Sequence, residues 1–169
     1  MSKTRTAKTP DEPGSRSPKA NGEGQKLANY LCFAIYSANL AFGRAYKPVL
    51  DKLGLTYTQY IALVALSEED NQTVGALGEK MFLESNTLTP ILKKLESIGY
   101  IRRQRDPADE RQVRVSLTPI GRRLLETDPG ASLTEATGLG EGFPAAQKTV
   151  TTIRDNLLRA TRAELGASE

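Results

Sequence analysis

The stretch from Tyr100 to Leu117 reads YIRRQRDPADERQVRVSL and has the clearest strand pattern in the chain. Two runs, residues 100–105 and 111–117, flank a turn that contains proline and aspartate, and apolar residues alternate with polar ones in the second run. Alternation with a period of two is typical of a strand that buries one face. We therefore predict a two-stranded hairpin. Because a hairpin of this size is not stable alone, it must pack against helices.

Helical periodicity precedes the hairpin. Apolar residues recur at three- and four-residue spacing from Gln25, which predicts a long first helix. The pair Lys47-Pro48 is expected to end or kink that helix, because proline has no backbone N–H to donate and disfavours helical geometry in the residue before it. Thr56 and Gln59 have the spacing of a capping box and open a second helix.

A third and a fourth helix follow, with a tight turn between them. Thr73 can cap the third helix, and Gly99 ends the fourth. The fourth helix begins between Ser85 and Thr87, because Pro90 costs little only within the first turn. Two helices joined by a tight turn are the arrangement of a helix-turn-helix, although many helical proteins that never touch DNA contain one.

Helices also follow the hairpin. Thr118-Pro119 is a cap with proline at the first helical position, so a helix begins there. Pro129-Gly130 interrupts that helix, and the last helix begins near Pro144. The order of all these elements predicts a winged helix-turn-helix, mainly α with a small β-hairpin wing.

The composition excludes several kinds of chemistry. The chain has 169 residues, 38% of them hydrophobic, with one cysteine and no histidine. One cysteine forms no internal disulfide, and without histidine the usual zinc sets and the His-dependent nucleophilic triads are unavailable. The sequence has no apolar run long enough for a bilayer span and no signal-peptide core. We expect a cytoplasmic protein that has no metal, cofactor or membrane partner and is not an enzyme.

Basic residues concentrate on the fourth helix and the hairpin. The net charge of +3 is modest, so the position of the cations is more informative than their number. A charged run is usually only a solvated surface, but concentration on a recognition helix and a wing favours double-stranded DNA as the partner. The residues concerned are Lys93, Lys94, Arg102, Arg103, Arg105, Arg111 and Arg114.

Several motifs together resemble the MarR family of dimeric repressors. They are Thr87-Leu-Thr-Pro-Ile-Leu-Lys-Lys-Leu-Glu96, Gly99-Tyr-Ile-Arg-Arg103, Asp109-Glu-Arg111 and Val115-Ser-Leu-Thr-Pro-Ile-Gly121. The first helix, with Cys32-Phe-Ala-Ile-Tyr-Ser37 and then a segment from Tyr46 to Tyr60, is similar to the organic hydroperoxide resistance regulators, the OhrR group. Having a single cysteine, the chain resembles the one-cysteine type.

The resemblance implies a dimeric, MarR-like fold and a function. In the OhrR group, organic hydroperoxides oxidise the cysteine, the dimer releases its operator, and a peroxidase gene is derepressed. In the one-cysteine type, a small thiol caps the sulfenic acid as a mixed disulfide, or the sulfur is overoxidised. The first and last helices would form the interface of a homodimer.

We accordingly expect one folded domain, residues 25–169, after a tail. The parts of the domain are an N-terminal dimerisation and sensor helix, 25–55, a winged helix-turn-helix DNA-binding region, 56–118, and C-terminal dimerisation helices, 119–169. Residues 1–24 carry polar and charged side chains with almost nothing apolar. Such a segment buries too little surface to offset its chain entropy, so we predict a disordered basic and polar tail.

The proposed redox chemistry needs a thiolate, because the anion is the nucleophile toward the O–O bond of a peroxide. If the first helix starts near Gln25, Cys32 lies too deep for the helix dipole to favour the anion strongly. Tyr36, four residues on, lies on the same face, and its hydroxyl can donate a hydrogen bond to the sulfur. The resemblance marks Tyr46 as a second donor. On a continuous helix Tyr46 lies about 21 Å further along, so it reaches only the partner's thiol, with the two first helices antiparallel across a twofold axis.

For DNA, we expect a pseudo-palindromic operator that a dimer binds through recognition helices and wings. The side chains expected near base edges are those of Ser85, Asn86, Thr87 and Thr89, with Lys93 or Lys94 near phosphates. Arg111, at the hairpin turn, is expected to enter the adjacent minor groove, whose negative potential favours a guanidinium. Its neighbour Asp109 orients it.

Two other functions fit parts of this pattern. Within the family, the protein would sense a small phenolic ligand, and Cys32 would be only structural. Outside the family, it would be a thiol peroxidase. Catalytic consumption of peroxide would indicate the enzyme, whereas stoichiometric oxidation coupled to DNA release would indicate the sensor.

Overall fold

The computed structural model describes the backbone of residues 26–166 and the side chains in that range, except those of residues 131, 132 and 164–166. The tail predicted to be disordered, residues 1–24, lies outside the described residues. By its contacts the chain divides into two units, Met1–Ser37 and Ala38–Glu169.

In the first unit, the described part contains a short 3-10 turn and the beginning of the first helix. The turn, Leu27–Asn29, closes with the backbone N–H of Tyr30 donating to the carbonyl of Leu27 at 3.1 Å. Tyr30 is extended, with φ −88° and ψ 116°, and α1 (Leu31–Leu50) begins after it. The predicted helix start near Gln25 is therefore wrong, because an extended residue interrupts apolar spacing that is otherwise helical. As a consequence, Cys32 lies in the first turn of α1.

Proline does not end α1. The helix continues through Pro48 to Leu50, and a 3-10 turn, Asp51–Leu53, follows it. Proline removes only the N–H that would bond to the carbonyl of Arg44, and Arg44 is exposed, so solvent can replace that bond. Leu50 is 1% exposed and anchors the helix end in the core. The prediction was that the helix would end or kink at Lys47-Pro48, and its first alternative is wrong, because the helix ends a few residues later.

Three helices follow, and the first two begin where their capping residues predict, whereas the third begins within its predicted range but after Glu84, which makes no side-chain cap hydrogen bond. They are α2 (Tyr57–Glu68), α3 (Val74–Met81) and α4 (Ser85–Ser97). The Thr56 hydroxyl accepts from the Gln59 N–H at 3.3 Å, and Gln59 Oε1 accepts from the Thr56 N–H at 2.8 Å, which completes the capping box. Thr73 caps α3, and Gly99, at φ 80°, follows the end of α4.

The sheet has three antiparallel strands rather than the predicted two. They are β1 (Gln72–Thr73), β2 (Ile101–Arg105) and β3 (Val113–Leu117), in the order β1-β3-β2. Ile101 pairs with Leu117 and Arg105 with Val113, which confirms the hairpin. Gln72 of β1 pairs with Val115. A two-residue strand has no alternating pattern, so sequence periodicity did not reveal β1.

A leucine-rich core lies among α2, α3, α4 and the sheet. Its largest fully buried side chains are Leu50, Leu63, Leu66, Leu77, Leu88, Leu92, Leu95 and Val115. Leu88, Leu92 and Leu95 lie at four- and three-residue spacing and form one face of α4. Because burying one such side chain stabilises the fold by roughly 1.5–3 kcal/mol, this face determines how α4 is oriented.

Three helices complete the described chain. They are α5 (Pro119–Glu126), α6 (Ala131–Ala136) and α7 (Phe143–Gly166). Thr118 caps α5 as predicted, accepting from the Gly121 N–H at 3.1 Å. On α7, the guanidinium of Arg154 lies 4.6 Å from the ring centroid of Phe82, in the turn between α3 and α4. Within the described range, no helix has the length and apolar character needed to cross a membrane.

Candidate functional site

The N-terminal turn of α4 presents polar side chains to solvent. Ser85, Asn86 and Thr87 are exposed, whereas Leu88 is fully buried on the opposite face. Glu84, the residue before the helix, is extended and makes no side-chain cap hydrogen bond. A helix start of this kind offers backbone N–H groups and a positive dipole end to an anion such as a phosphate.

Further along α4, the residues predicted to contact DNA differ in their exposure and in whether their side chains already make hydrogen bonds. Lys93 and Lys94 are exposed. Thr89 is half-buried, and its hydroxyl donates to the carbonyl of Ser85 at 2.6 Å, so it is already engaged with the backbone. Because α4 begins at Ser85, Pro90 lies in the second turn and not in the first. The N–H missing at Pro90 would have bonded to the carbonyl of Asn86, which is at the exposed end of the helix.

At the wing, Asp109 orders the backbone of the turn. One carboxylate oxygen accepts from the backbone N–H of Arg111 at 3.0 Å, and the other accepts from the Gln112 side-chain amide at 3.0 Å. Arg111 itself is exposed. These contacts fix the backbone from which the Arg111 side chain projects.

A second aspartate at the wing was not identified from the sequence. Asp106 is buried and accepts from the Ala108 N–H at 2.9 Å and from Arg114 Nε at 2.6 Å. Arg114 also donates to the carbonyl of Asn71 at 2.9 Å, which connects the wing to the loop before β1. The hydrogen bond from Ala108 and then the bond from Arg114 hold the pKa of Asp106 below its usual value. The aspartate-proline pair at the start of a turn was the available signal.

The arginine cluster therefore has two parts. Arg103 lies 3.6 Å from Glu96 of α4, whose carboxylate also accepts from the Arg103 N–H at 3.0 Å, so this residue joins the wing to the recognition helix. Arg114 joins the wing to Asp106. Arg102, Arg105 and Arg111 are exposed and available to a polyanion. We define the reading surface as the N-terminal turn and lysines of α4 together with these three arginines.

Cys32, the free cysteine of the first unit, is exposed. Its position in the first turn of α1 replaces the expectation that it lies deep in the helix. Tyr36 lies one turn on and is 58% exposed, with its ring centroid 6.4 Å from that of Phe33.

In the second unit, Tyr46 belongs to a tyrosine cluster with Tyr57 and Tyr60. Its ring centroid lies 4.9 Å from that of Tyr57 and 5.5 Å from that of Tyr60. Burial is the main cause that raises the pKa of all three phenols. A phenol that stays protonated keeps an O–H to donate. Tyr57 and Tyr60 were missed from the sequence, although they lie three residues apart and hence on one face of α2.

The described residues contain no group of three or more acidic, cysteine or histidine side chains that could hold a metal ion. What they contain is a helix-turn-helix, a wing of antiparallel strands and an exposed thiol. This combination defines the class as a winged-helix regulator of the MarR type.

Comparison with known proteins identifies the family within this class. A family model described as transcriptional regulator SarA/Rot matches residues 44–127. The chain is 42% identical over 135 residues to the organic hydroperoxide resistance transcriptional regulator of Bacillus subtilis, covering 78% of this chain and 92% of that protein. The chain belongs to the family of organic hydroperoxide resistance regulators. The predicted family and fold class are thereby confirmed.

Two further relatives agree with this assignment. The chain is 52% identical over 100 residues to the transcriptional regulator TtmR of Methylorubrum extorquens, a match that spans 59% of this chain and only 51% of TtmR. Its fold matches reduced AbfR bound to DNA with a TM-score of 0.65 and 36% identity, covering 78% of this chain and 94% of AbfR. AbfR, from Staphylococcus epidermidis, has also been solved overoxidised on DNA and with a disulfide.

The ion pair at the wing generates a prediction on acid stability. Replacing Asp106 with Asn keeps an acceptor for the Ala108 N–H but removes the charge-assisted hydrogen bond from Arg114. Because the folded pKa of Asp106 lies below the unfolded value, the carboxylate stabilises the fold above about pH 3.9, and this contribution is lost as the pH falls through the folded pKa. Asp106→Asn should therefore unfold at lower urea concentration than wild type at about pH 7, and the difference should shrink below about pH 4. A difference independent of pH would contradict this account of Asp106.

Proposed function

We propose that the protein is a dimeric transcriptional repressor that binds a pseudo-palindromic operator and releases it when an organic hydroperoxide oxidises Cys32. One observation carries the proposal: an exposed cysteine occupies the first turn of α1 in a chain whose recognition helix and wing form one reading surface. The Bacillus subtilis relative, an organic hydroperoxide resistance transcriptional regulator by name, supports both the DNA partner and the inducer. The relatives compared are regulators, and we infer that this chain acts in the same way and not as an enzyme.

Exposed apolar side chains on two long helices, α1 and α7, favour a second copy of this chain as the partner. On α1, Leu31 is 60% exposed, and on α7, Val150 is 48% and Leu157 63% exposed. Large apolar side chains left at helical spacing on two long helices are typical of a surface that another chain covers. We infer that α1 and α7 form the interface of a homodimer, which places two reading surfaces on one operator.

For the operator, the roles follow the geometry of the reading surface. The exposed ends of Ser85, Asn86 and Thr87 are proposed to contact base edges, with Lys93 or Lys94 at phosphates. Thr89 lies beside them and is assigned to apolar contact through its methyl group, because its hydroxyl is bonded to the helix backbone. Arg111 is proposed to enter the minor groove from a turn that Asp109 holds in shape.

Removing the wing guanidinium tests the DNA contact. Arg111→Ala should weaken operator binding by about 1–3 kcal/mol and lower the slope of log affinity against log salt by about 1, because one cation no longer displaces counterions. Dimer stability should hardly change, since Arg111 is exposed. Fluorescence anisotropy titrations at several salt concentrations measure both effects. The matched control is Arg123→Ala, an exposed arginine on α5, and equal losses for the two variants would remove the wing from the reading surface.

At the thiol, Tyr36 is proposed to donate in its own subunit and Tyr46 in the partner subunit. The helical spacing of the two tyrosines supports this division, and each phenol carries an O–H that can donate. The thiolate sulfur attacks the distal peroxide oxygen, the O–O bond breaks, and an alcohol leaves as the sulfur becomes a sulfenic acid. A small thiol then condenses with the sulfenic acid to give a mixed disulfide and water.

The switch itself is tested by removing the sulfur. Cys32→Ser should bind the operator like wild type but fail to release it on addition of an organic hydroperoxide. The serine hydroxyl cannot be oxidised by the peroxide as a thiol is, so no sulfenic acid or mixed disulfide can form. Gel-shift titrations with cumene hydroperoxide, with and without a small thiol, provide the measurement. Without a small thiol, peroxide consumed by the wild type should stop at about one to three equivalents per cysteine, one for the sulfenic acid and one for each step of overoxidation, whereas continued turnover would indicate a peroxidase.

A heterodimer tests whether Tyr46 acts across the interface. The Tyr46→Phe homodimer should oxidise more slowly than wild type, because its thiolate loses a hydrogen-bond donor. In a heterodimer of Cys32→Ser with Tyr46→Phe, the one remaining thiol faces the intact Tyr46 of the other chain and should react at the wild-type rate. If it reacts as slowly as the Tyr46→Phe homodimer, Tyr46 acts within its own subunit and the antiparallel arrangement is wrong.

One observation favours the ligand-sensing alternative. An apolar cavity of about 370 Å³ in the second unit is lined by Ala41, Phe42 and Ala45 of α1 and by Leu133 and Ala136 of α6. Its size is sufficient for a small phenolic molecule. Release of the operator by the Cys32→Ser variant at the same peroxide dose, or by a phenol without peroxide, would favour this second function.

A further inference from the structure

The turn between α5 and α6 lies against the hydroxyl of Tyr46. A methyl group built on Gly130 would lie 2.7 Å from Tyr46 Oη and 3.3 Å from Tyr46 Cε1. The backbone of Gly130, at φ −96° and ψ −11°, is open to any L-residue. A side chain at this position would therefore be crowded by lack of space and not by backbone conformation, and the atom that occupies the space is the phenolic oxygen.

The turn has little freedom to move away from the tyrosine. On one side, the N–H of Asp128 donates to the carbonyl of Leu125 at 3.0 Å, and Pro129 is buried. On the other side, the carbonyl of Gly130 accepts from the N–H of Leu133 at 2.9 Å as α6 begins. A side chain at residue 130 would have to displace the tyrosine and not the turn.

The tyrosine is confined from the opposite direction as well. Its ring lies against Tyr57 and Tyr60 at centroid distances of 4.9 and 5.5 Å. Asp128 adds to burial in raising the pKa of Tyr46, which is consistent with the turn lying close to the hydroxyl. The ring therefore has neighbours on two sides, the turn and the two other rings, and these limit where its oxygen can lie.

We propose that Gly130 is a positioning residue for thiol oxidation: by carrying no side chain, it lets the Tyr46 hydroxyl occupy the one place from which it reaches the partner subunit's thiol. This inference rests on the proposed function, in which Tyr46 donates to that thiol. Hydrogen bonds weaken steeply when distance and angle leave a narrow range, so a displacement comparable to one methyl group removes the bond. Gly130 touches neither the sulfur nor the peroxide, and it acts only through Tyr46.

The test compares two glycine-to-alanine variants of the full-length dimer. Gly130→Ala should slow the oxidation of Cys32 by cumene hydroperoxide about tenfold, the factor expected for loss of one hydrogen bond to an ionised group. The matched control is Gly142→Ala, where a methyl group would have no neighbour within 4 Å. That variant should oxidise at the wild-type rate. Both should bind the operator within about twofold of wild type, since neither site lies on the reading surface.

A double-mutant cycle separates positioning from a structural role. If Gly130 acts through the Tyr46 hydroxyl, the combined Gly130→Ala and Tyr46→Phe variant should oxidise as fast as Tyr46→Phe alone. A further slowing of the double variant would overturn the inference. The inference would also be overturned if Gly130→Ala oxidised at the wild-type rate while Tyr46→Phe oxidised slowly. That result would leave the proposed function intact. A wild-type rate for Tyr46→Phe would instead overturn the activating role of Tyr46 and the inference with it.

Stability provides a second measurement if Gly130→Ala folds poorly. Tyr46→Phe removes the oxygen at 2.7 Å from the added methyl group, so it should raise the melting temperature of the Gly130→Ala variant. The same tyrosine change should not raise that of Gly142→Ala. Failure of Tyr46→Phe to restore stability would place the crowding elsewhere and overturn the inference.

Discussion

Burial of the leucine face of α4 is the constraint on which the reading surface depends. Leu88, Leu92 and Leu95 are fully buried, so rotation of the helix about its axis would expose apolar area at a cost of about 25 cal/mol per Å². With that face fixed, the polar N-terminal turn of α4 must point to solvent. The Arg103–Glu96 pair ties the second strand to the same helix. The recognition helix and the wing are therefore held to each other as well as to the core.

The long helices α1 and α7 present the opposite situation. Their apolar residues lie at helical spacing, yet Leu31 and Leu157 remain about as exposed as surface side chains. A second copy that covers these faces also covers the first turn of α1, where Cys32 lies. In the proposed dimer, Cys32 therefore lies at the interface, because it is in the same helical turn as the exposed Leu31. The tyrosines that are proposed to activate it lie on helices of that surface or packed beneath it.

The sequence was informative where a local rule decides the structure and uninformative where a distant contact does. Capping residues predicted the starts of α2, α3 and α5, and alternation predicted the hairpin, because both signals act over a few residues. The start of α1 was predicted too early, since apolar spacing does not reveal the extended backbone at Tyr30. Strand β1 forms because Gln72 pairs with Val115, which is more than forty positions away in the chain. The roles of Asp106 and of the Tyr46 cluster likewise depend on partners that only the fold brings near, such as Arg114 and Gly130.

The way a single oxidised sulfur can release DNA follows from the geometry of two-site binding. A dimer gains its affinity because the second reading surface binds at a high effective concentration once the first is bound, and it does so only while both fit successive major grooves about 34 Å apart. In the proposed dimer, a mixed disulfide at Cys32 would add several heavy atoms between the subunits, and protein interiors are packed at close to crystal density. Such an interface accommodates the atoms by a discrete shift of helices and not by compression. In the proposed mechanism, a shift that reaches α4 moves the recognition helix and the wing of one subunit together, since Glu96 of α4 pairs with Arg103 of β2, and two reading surfaces moved out of register cannot both bind.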